Sequence, residues 1–228
     1  MIAATVAHMR VVIAGGHGRI ALRLGRLLAE RGDEPVGLIR DIGQAPDLTE
    51  VGVDAVLCDL ERVGVDELAG HVAGADAVVF AAGAGPGSGA DRKDTVDRAA
   101  AELLAEAARK AGVRRYLLIS SMGLGRAGAP DVDPVFSAYL VAKQAAEDAV
   151  RVFALDWTIL RPGRLTDDSG TGQVRLGRPP IHPGEVPRDD VAAVLVELLD
   201  RPASARHTLE LVGGADPIPD AVYLAVGG

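Results

Sequence analysis

Along the first 163 residues, short and continuous apolar runs alternate with longer segments of helical periodicity. The apolar runs predict six buried strands, at residues 10–15, 34–40, 52–60, 76–83, 114–123 and 156–163. The periodic segments predict helices at residues 19–32, 64–74, 91–112 and about 135–154. Continuous apolar strands that alternate with helices are typical of a parallel sheet covered on both faces. The pattern therefore predicts an α/β protein built on a doubly wound parallel sheet, the Rossmann fold.

Residues that favour helix ends mark two of these boundaries. Gly32 closes the first helical pattern, and we expect it to be the C-cap because glycine readily adopts the left-handed conformation. Asp66 lies near the start of the second pattern and is predicted to be its N-cap, since its carboxylate can accept from free backbone N–H groups.

The chain changes character after Gly163. Residues 164–188 are rich in glycine, proline and charge. We expect this segment to form a loop over the carboxyl ends of the strands and to shape a substrate pocket. A helix at 189–200 and a last strand at 207–214 are predicted to follow.

Composition narrows the classes of function. The net charge is −8 and aromatic residues make up 3% of the 228 positions, which argues against a nucleic-acid binder because that class relies on basic patches and stacking rings. No apolar run approaches the roughly 20 residues of a membrane span. The lone cysteine, Cys58, permits no intramolecular disulfide, so we expect a cytoplasmic protein. Residues 1–8 are predicted to be a disordered extension and residues 9–228 a single domain.

The segment GGHGRI, residues 15–20, follows the first predicted strand and opens the first predicted helix. Gly15 and Gly18 permit a tight turn and a close approach of the backbone to a pyrophosphate, and the N–H groups at the helix start favour an anion. Ala21 takes the place of a third glycine, where a methyl group fits. This strand–loop–helix context predicts a dinucleotide-binding site.

The residue that contacts the adenosine ribose is expected at the end of the second strand, about 20 positions after the glycine loop. There the sequence reads LIRD. Arg40 could hold a 2′-phosphate with its guanidinium, with help from Arg19. Asp41 could instead accept a hydrogen bond from a free 2′-hydroxyl. We favour NADP as the cofactor, with NAD as the alternative.

The segment SAYLVAK, residues 137–143, places Tyr139 and Lys143 four positions apart, on one face of a predicted helix. A lysine ammonium nearby favours the phenolate form of tyrosine, which makes Tyr139 a usable proton donor or acceptor. Ser121, or its neighbour Ser120, follows the fifth strand and could donate a hydrogen bond to a substrate carbonyl. The alternative is that Tyr139 and Lys143 are merely neighbours on a helix surface.

Taken in order, these motifs resemble the short-chain dehydrogenase/reductase superfamily, in its atypical NAD(P)-binding branch. This branch is similar to epimerase-like enzymes with a shortened C-terminal part. The matching segments are GGHGRI, CDL after the third strand, FAAG after the fourth, LLISSMG after the fifth, YLVAK, and TILRPGRLT after the sixth. They span residues 10–166, with a weaker match at VPRDDVA, and their order is more specific than any single motif.

The resemblance implies a role for each segment. Asp59 and Leu60 would border the adenine, the FAAG segment would line the ribose, and Lys143 would hold the nicotinamide ribose. Together with the residues reasoned above, the predicted cofactor contacts are Gly15, Gly16, His17, Gly18, Arg19, Ile20, Arg40, Asp59, Leu60, Ala81, Ala82, Gly83, Ser120, Lys143, Pro162 and Gly163. The predicted catalytic residues are Tyr139, Lys143 and Ser121.

One position departs from the family pattern. The catalytic tetrad of the family often includes an asparagine on the helix before the fifth strand, where this sequence has Asp97. A carboxylate there could order a water molecule but would alter the proton relay. The departure therefore bears on turnover and not on cofactor binding.

The resemblance implies an NAD(P)H-dependent oxidoreductase that transfers a hydride to a small carbonyl, quinone or flavin substrate, or epimerase-like chemistry. A quinone or flavin reductase that works by hydride transfer alone would not need Tyr139. The alternative class is a non-catalytic NADP-binding redox sensor or regulatory protein. The five histidines, among them His182, show no metal-ligand spacing, so we expect no metal. We expect a monomer or homodimer that binds a small molecule and neither nucleic acid nor membrane.

Overall fold

The computed structural model describes residues 8–83 and 98–227 and contains a nine-stranded, mostly parallel sheet. The order of its strands is β3-β2-β1-β4-β5-β6-β10-β8-β11, and a separate pair is formed by β7 and β9. The strands are β1 (Arg10–Ala14), β2 (Glu34–Ile39), β3 (Asp54–Leu57), β4 (Ala77–Phe80), β5 (Arg115–Ile119), β6 (Asp156–Pro162), β7 (Arg164–Thr166), β8 (Gln173–Gly177), β9 (Glu185–Pro187), β10 (His207–Gly213) and β11 (Asp216–Pro217).

Helices cover both faces of this sheet. Within the described residues they are α1 (Arg19–Arg31), α2 (Ala45–Glu50), α3 (Val65–Val72), α4 (Ala100–Ala111), α5 (Pro134–Arg151), α6 (Arg188–Leu199) and α7 (Ile218–Val226). Successive β1 side chains point to opposite faces, so Val11 packs with α1 and α6 while Val12 packs with α3 and α4. The predicted α/β fold with a doubly wound sheet is therefore confirmed.

The strand order reverses between β1 and β4. The chain moves outward through β2 and β3 on one side of β1, then returns to place β4, β5 and β6 on the other side. The connection from β1 to β2 and the connection from β4 to β5 run in opposite directions. Their divergence opens a crevice at the carboxyl ends of β1 and β4. The glycine loop begins at this crevice.

One of the two predicted helix caps is correct. Gly32 is the C-cap of α1 with a φ of 91°, a left-handed conformation that glycine adopts without strain. The prediction for Asp66 is wrong because the N-cap of α3 is Gly64, two residues earlier, and no side chain caps the helix. Asp66 instead lies in the first turn of α3 and pairs with Lys110 of α4.

The prediction of a loop over residues 164–188 is only partly right. The segment contains β7, β8 and β9, and β8 pairs antiparallel with β10, so it extends the main sheet. These strands are short and polar, and their partners lie far away in the sequence, so local pattern did not reveal them. Helix α2 was also missed.

Some predictions fall outside the described residues. Residues 1–7 of the predicted extension and residues 91–97 of the predicted long helix are among these, and so is Asp97. Over the two described ranges, no helix has the length and apolar character needed to cross a membrane.

Candidate functional site

The glycine loop lies tightly against β2 and the segment that follows β4. Gly15 has a φ of 79°, and a Cβ atom there would come within 2.6 Å of the Cα atom of Ala82. A Cβ atom at Gly16 would come within 2.6 Å of the Cα atom of Gly37 in β2. Only glycine permits both contacts, and they bring the loop backbone down onto the end of the sheet.

The loop leads directly into α1. Gly18 is the N-cap of this helix and offers no side chain to the first-turn N–H groups. These N–H groups and the positive end of the helix dipole are suited to an anion such as a pyrophosphate.

A cavity of about 280 Å³ opens beside the loop, at the point where the strand order reverses. Its lining residues are Gly15, His17, Gly18, Leu38, Ile39, Arg40, Gln44, Cys58, Asp59, Leu60, Glu61, Ala81, Ala82 and Gly83. The cavity thus brings together most of the predicted cofactor contacts from four separate segments. Five lining residues were not predicted as cofactor contacts: Leu38, Ile39, Gln44, Cys58 and Glu61. The segments LIRD and CDL include three of them, but only their neighbours had been assigned a role. The residues present fit one half of a dinucleotide, with the glycine loop as the cradle for its pyrophosphate.

The two arginines predicted to read the ribose lie in different surroundings. Arg40 is exposed, lines the cavity, and has no hydrogen bond or ion pair with another described residue. Arg19 instead donates to Asp167, at 2.7 Å, and so faces the segment after β7. Asp41 accepts from the backbone N–H of Gly43 at 2.9 Å and caps a short turn.

His17 and Ile20 complete the predicted loop contacts. The His17 Nε2 atom lies 2.6 Å from an Asp47 carboxylate oxygen of α2, and the histidine still lines the cavity. Ile20 is half-buried and packs against the core beneath α1. Gly16, Arg19 and Ile20 are not among the cavity-lining residues.

Tyr139 and Lys143 lie on one face of α5, above the end of β5. The Lys143 Nζ atom is 5.7 Å from the centre of the Tyr139 ring and donates to the carbonyl of Ile119 at 3.1 Å. Lys143 is only 4% exposed, which is rare for a lysine and shows that it is not a solvated surface residue. The Tyr139 ring also stacks with the half-exposed Phe136 ring, at 5.7 Å between centres.

The two serines after β5 differ in their hydrogen bonds. Ser120 is buried and its hydroxyl donates to Glu147 at 2.5 Å. Ser121 is half-buried and donates to the adjacent Met122 carbonyl at 3.1 Å. Because the Ser120 proton is held by a carboxylate, Ser121 is the better placed of the two to turn toward a substrate carbonyl. The Met122 N–H in turn donates to the carbonyl of Pro162 at 3.0 Å, so this turn lies beside the end of β6.

Glu147 was not predicted, although it lies two helical turns after Tyr139. It is completely buried and accepts two bonds from Arg161, at 2.7 and 2.6 Å. Arg151 donates a further bond at 2.7 Å, and its guanidinium lies 5.8 Å from the centre of the Trp157 ring. The hydrogen bonds to Glu147 raise the pKa of Arg161. The spacing of four from Lys143 was the only sequence signal for this residue.

The remaining candidate residues carry no catalytic arrangement. Burial, with smaller contributions from Glu67 and Asp59, raises the pKa of the Cys58 thiol to about 11, which makes it a poor nucleophile. His182 is exposed, and its one hydrogen bond with a described residue joins Nδ1 to the carbonyl of Pro183. Across the described parts of the chain, no cluster of His, Cys, Asp and Glu could hold a metal ion.

Comparisons with known proteins agree with this geometry. A protein of Bacillus subtilis named as an uncharacterized sugar epimerase is 32% identical over 94% of this chain and 99% of its own length. A solved structure from Bacillus halodurans, provisionally named an NAD-dependent epimerase/dehydratase, is 36% identical over 95% of this chain and 99% of its own, with a TM-score of 0.85. An oxidoreductase structure from Lactococcus lactis is 26% identical over 95% and 96% of the two chains, with a TM-score of 0.81.

The family of NAD(P)H-binding proteins matches residues 15–202, from the glycine loop to the end of α6 and the turn after it. The resemblance to epimerase-like and short-chain dehydrogenase/reductase proteins is thereby confirmed. From its fold, its glycine loop and this match, the chain belongs to the NAD(P)H-binding family.

Proposed function

We propose that the chain is an NADPH-dependent oxidoreductase that transfers a hydride to a small carbonyl, quinone or flavin substrate. Epimerase-like chemistry is the related alternative. The observation that carries this proposal is the buried Lys143 ammonium, 5.7 Å from the Tyr139 ring at the carboxyl end of the sheet. Burial of a lysine beside a phenol is rare, and its place at the edge where this fold binds its ligands favours a functional role.

The side chains divide the work as follows. The glycine loop would hold NAD(P)H, whose nicotinamide would supply the hydride for the reduction. Tyr139 donates a proton to the substrate oxygen, and the Lys143 ammonium stabilises the phenolate that this leaves. Ser121 donates a hydrogen bond to the same oxygen, where negative charge develops. Lys143 is held in place by its own bond to the Ile119 carbonyl.

NADPH is preferred to NADH in this proposal because of Arg40. Its guanidinium lines the cavity without an ion-pair partner among the described residues, so it is available for a 2′-phosphate. Asp41, the candidate that would favour a free 2′-hydroxyl, is already engaged as the cap of the following turn.

The decisive experiment follows the loss of NADPH absorbance with a panel of ketones, aldehydes, quinones and flavins. Wild type is compared with Tyr139→Phe and with Tyr223→Phe, a control at a half-exposed tyrosine of α7. We expect Tyr139→Phe to lower kcat by about 100-fold or more, since that is the usual contribution of a positioned general acid. The NADPH dissociation constant and the control should stay close to wild type.

Three other outcomes would contradict parts of the proposal. Full activity in Tyr139→Phe would mean that hydride transfer needs no proton from this residue. An equal loss of turnover in Tyr223→Phe would mean that the effect does not depend on the position of Tyr139. Tight NADPH binding without turnover of any compound would instead favour a redox sensor or regulatory protein.

A further inference from the structure

A run of buried and partly buried charged side chains lies behind the site, and the proposed chemistry does not use it. Its centre is Glu147, which has no solvent exposure. The Glu147 carboxylate accepts from the Ser120 hydroxyl at 2.5 Å, so it holds the residue immediately before Ser121. It also accepts two bonds from Arg161, in the geometry of a two-pronged guanidinium–carboxylate pair.

Arg161 continues the run in the opposite direction. Its Nη1 atom lies 4.0 Å from a carboxylate oxygen of Glu210, which is 7% exposed in β10. Glu210 accepts from the backbone N–H of Ile181 at 2.9 Å. The run therefore connects the end of β5 to residues 178–184, a part of the segment that we expect to contact the substrate.

Buried ion pairs are poor devices for stability alone. Removing charges from water costs free energy of folding, and apolar residues of similar volume often serve as well or better. What the pair of the buried Glu147 and the partly buried Arg161 does supply is geometry, because its hydrogen bonds fix both distance and orientation. At the two ends of this run lie the Ser120–Ser121 turn and residues 178–184.

We propose that Glu147 and Arg161 are positioning residues that fix residues 178–184 and the Ser120–Ser121 turn relative to each other. This positioning role rests on the proposed function. One end of the run adjoins Ser121, the proposed hydrogen-bond donor to the substrate, and the other end holds residues 178–184, which we expect to contact the substrate. Glu147 and Arg161 touch neither cofactor nor substrate in this proposal. They act through Ser120 at one end and through Glu210 at the other.

The first test measures geometry without requiring turnover. Amide hydrogen exchange is compared for wild type, Glu147→Gln and Arg161→Lys, which cannot form the two-pronged contact. The control is Asp148→Asn, which removes the same charge from the adjacent, 61% exposed residue that also pairs with Arg151. We expect exchange to accelerate by about 10-fold or more both at residues 119–122 and at the Ile181 amide, because local opening then costs less. The control should match wild type.

The second test measures kinetics with the best compound of the panel. We expect Glu147→Gln to lower kcat on the order of 10- to 100-fold, the usual effect of misplaced reacting groups, while the NADPH dissociation constant stays close to wild type. Because Glu147 acts through Ser120, the double variant with Ser120→Ala should be no worse than the poorer single variant. Glu210→Gln alters the run at its other end and should raise KM more than it lowers kcat.

Each outcome decides a different point. Unchanged exchange in both Glu147→Gln and Arg161→Lys would overturn the positioning role, whether or not the protein has turnover. Faster exchange with wild-type kcat and KM would mean that the run only stabilises the structure, and this result would also overturn the positioning role. A wild-type chain without turnover would refute the proposed function, and the connection between the two segments would then stand or fall on exchange alone. If Glu147→Gln does not fold, Arg161→Lys and Glu210→Gln provide the same two measurements.

Discussion

Replacing Gly16 by alanine tests whether the glycine loop must lie directly on β2. The added Cβ atom would be 2.6 Å from the Gly37 Cα atom and 2.9 Å from its carbonyl carbon, where an ordinary contact needs about 3.4 Å or more. Both partners are backbone, so neither can move aside as a side chain would. The loop must lift, and the bond from the Gly16 N–H to the Leu38 carbonyl, now 2.9 Å, must lengthen or break.

The expected cost follows from these two effects. Forcing an extra methyl group into a packed site costs about 1–3 kcal/mol, and the loss of one hydrogen bond adds about 0.5–1.5 kcal/mol. We expect Gly16→Ala to lose about 2–4 kcal/mol of unfolding free energy in urea and to bind NADPH at least about 10-fold more weakly. The weaker binding follows because the lifted loop no longer presents its N–H groups to the pyrophosphate.

Gly70→Ala is the matched control for this experiment. Gly70 lies inside α3, and nothing would lie within 4 Å of its added Cβ atom. The substitution should therefore stabilise the protein by about 0.5–1 kcal/mol, because alanine favours the helix. A Gly16→Ala variant with wild-type stability and wild-type NADPH affinity would refute the close contact between the loop and β2.

Three further predictions concern single residues. Arg40→Gln should weaken NADPH binding by about 10-fold or more and leave NADH affinity nearly unchanged, as isothermal titration can measure; equal loss for both cofactors would contradict the 2′-phosphate role. Burial raises the pKa of Cys58 to about 11, so its reaction with a disulfide reagent should be slow at neutral pH and quicken about 10-fold per pH unit up to that pKa. Bound NADPH should slow the reaction further. A fast reaction at neutral pH would contradict this prediction. Arg115→Met should cost about 3 kcal/mol in urea unfolding, since the partly buried guanidinium donates to the carbonyls of Asp156 and Leu198 and to two hydroxyls; unchanged stability would show that these acceptors bind water instead.

The fold was predictable where burial produced a local pattern. Strands β1, β4 and β5 are continuous apolar runs because both faces of the sheet are covered there, and that signal is visible in any short window. The edge strand β3 has the same apolar character but stays partly exposed. Strands β7, β8 and β9 lack it. For example, Val174 of β8 pairs with Gly213 of β10, 39 positions further along the chain. Such pairing depends on the tertiary structure and not on local propensity.

The site divides in the same way. The glycine loop and the Tyr139–Lys143 spacing were visible because each lies within a few residues of one element. The partners of these groups were not visible. Lys143 donates to a carbonyl 24 positions away, and Glu147 meets Arg161 14 positions later, across the packing of α5 on the sheet. Sequence distance therefore hid the contacts that hold the predicted residues in place.

The contact between Arg151 and the Trp157 ring has a practical consequence. Trp157 is the only tryptophan of the chain, and Arg151 joins it to the Glu147 carboxylate. Indole emission depends on nearby charge. The natural protein therefore already carries a fluorescent reporter, which is separated from the Glu147–Arg161 ion pair by the side chain of Arg151. Stopped-flow mixing with NADPH or substrate can thus follow rearrangement behind the site in real time, without a label or an engineered probe.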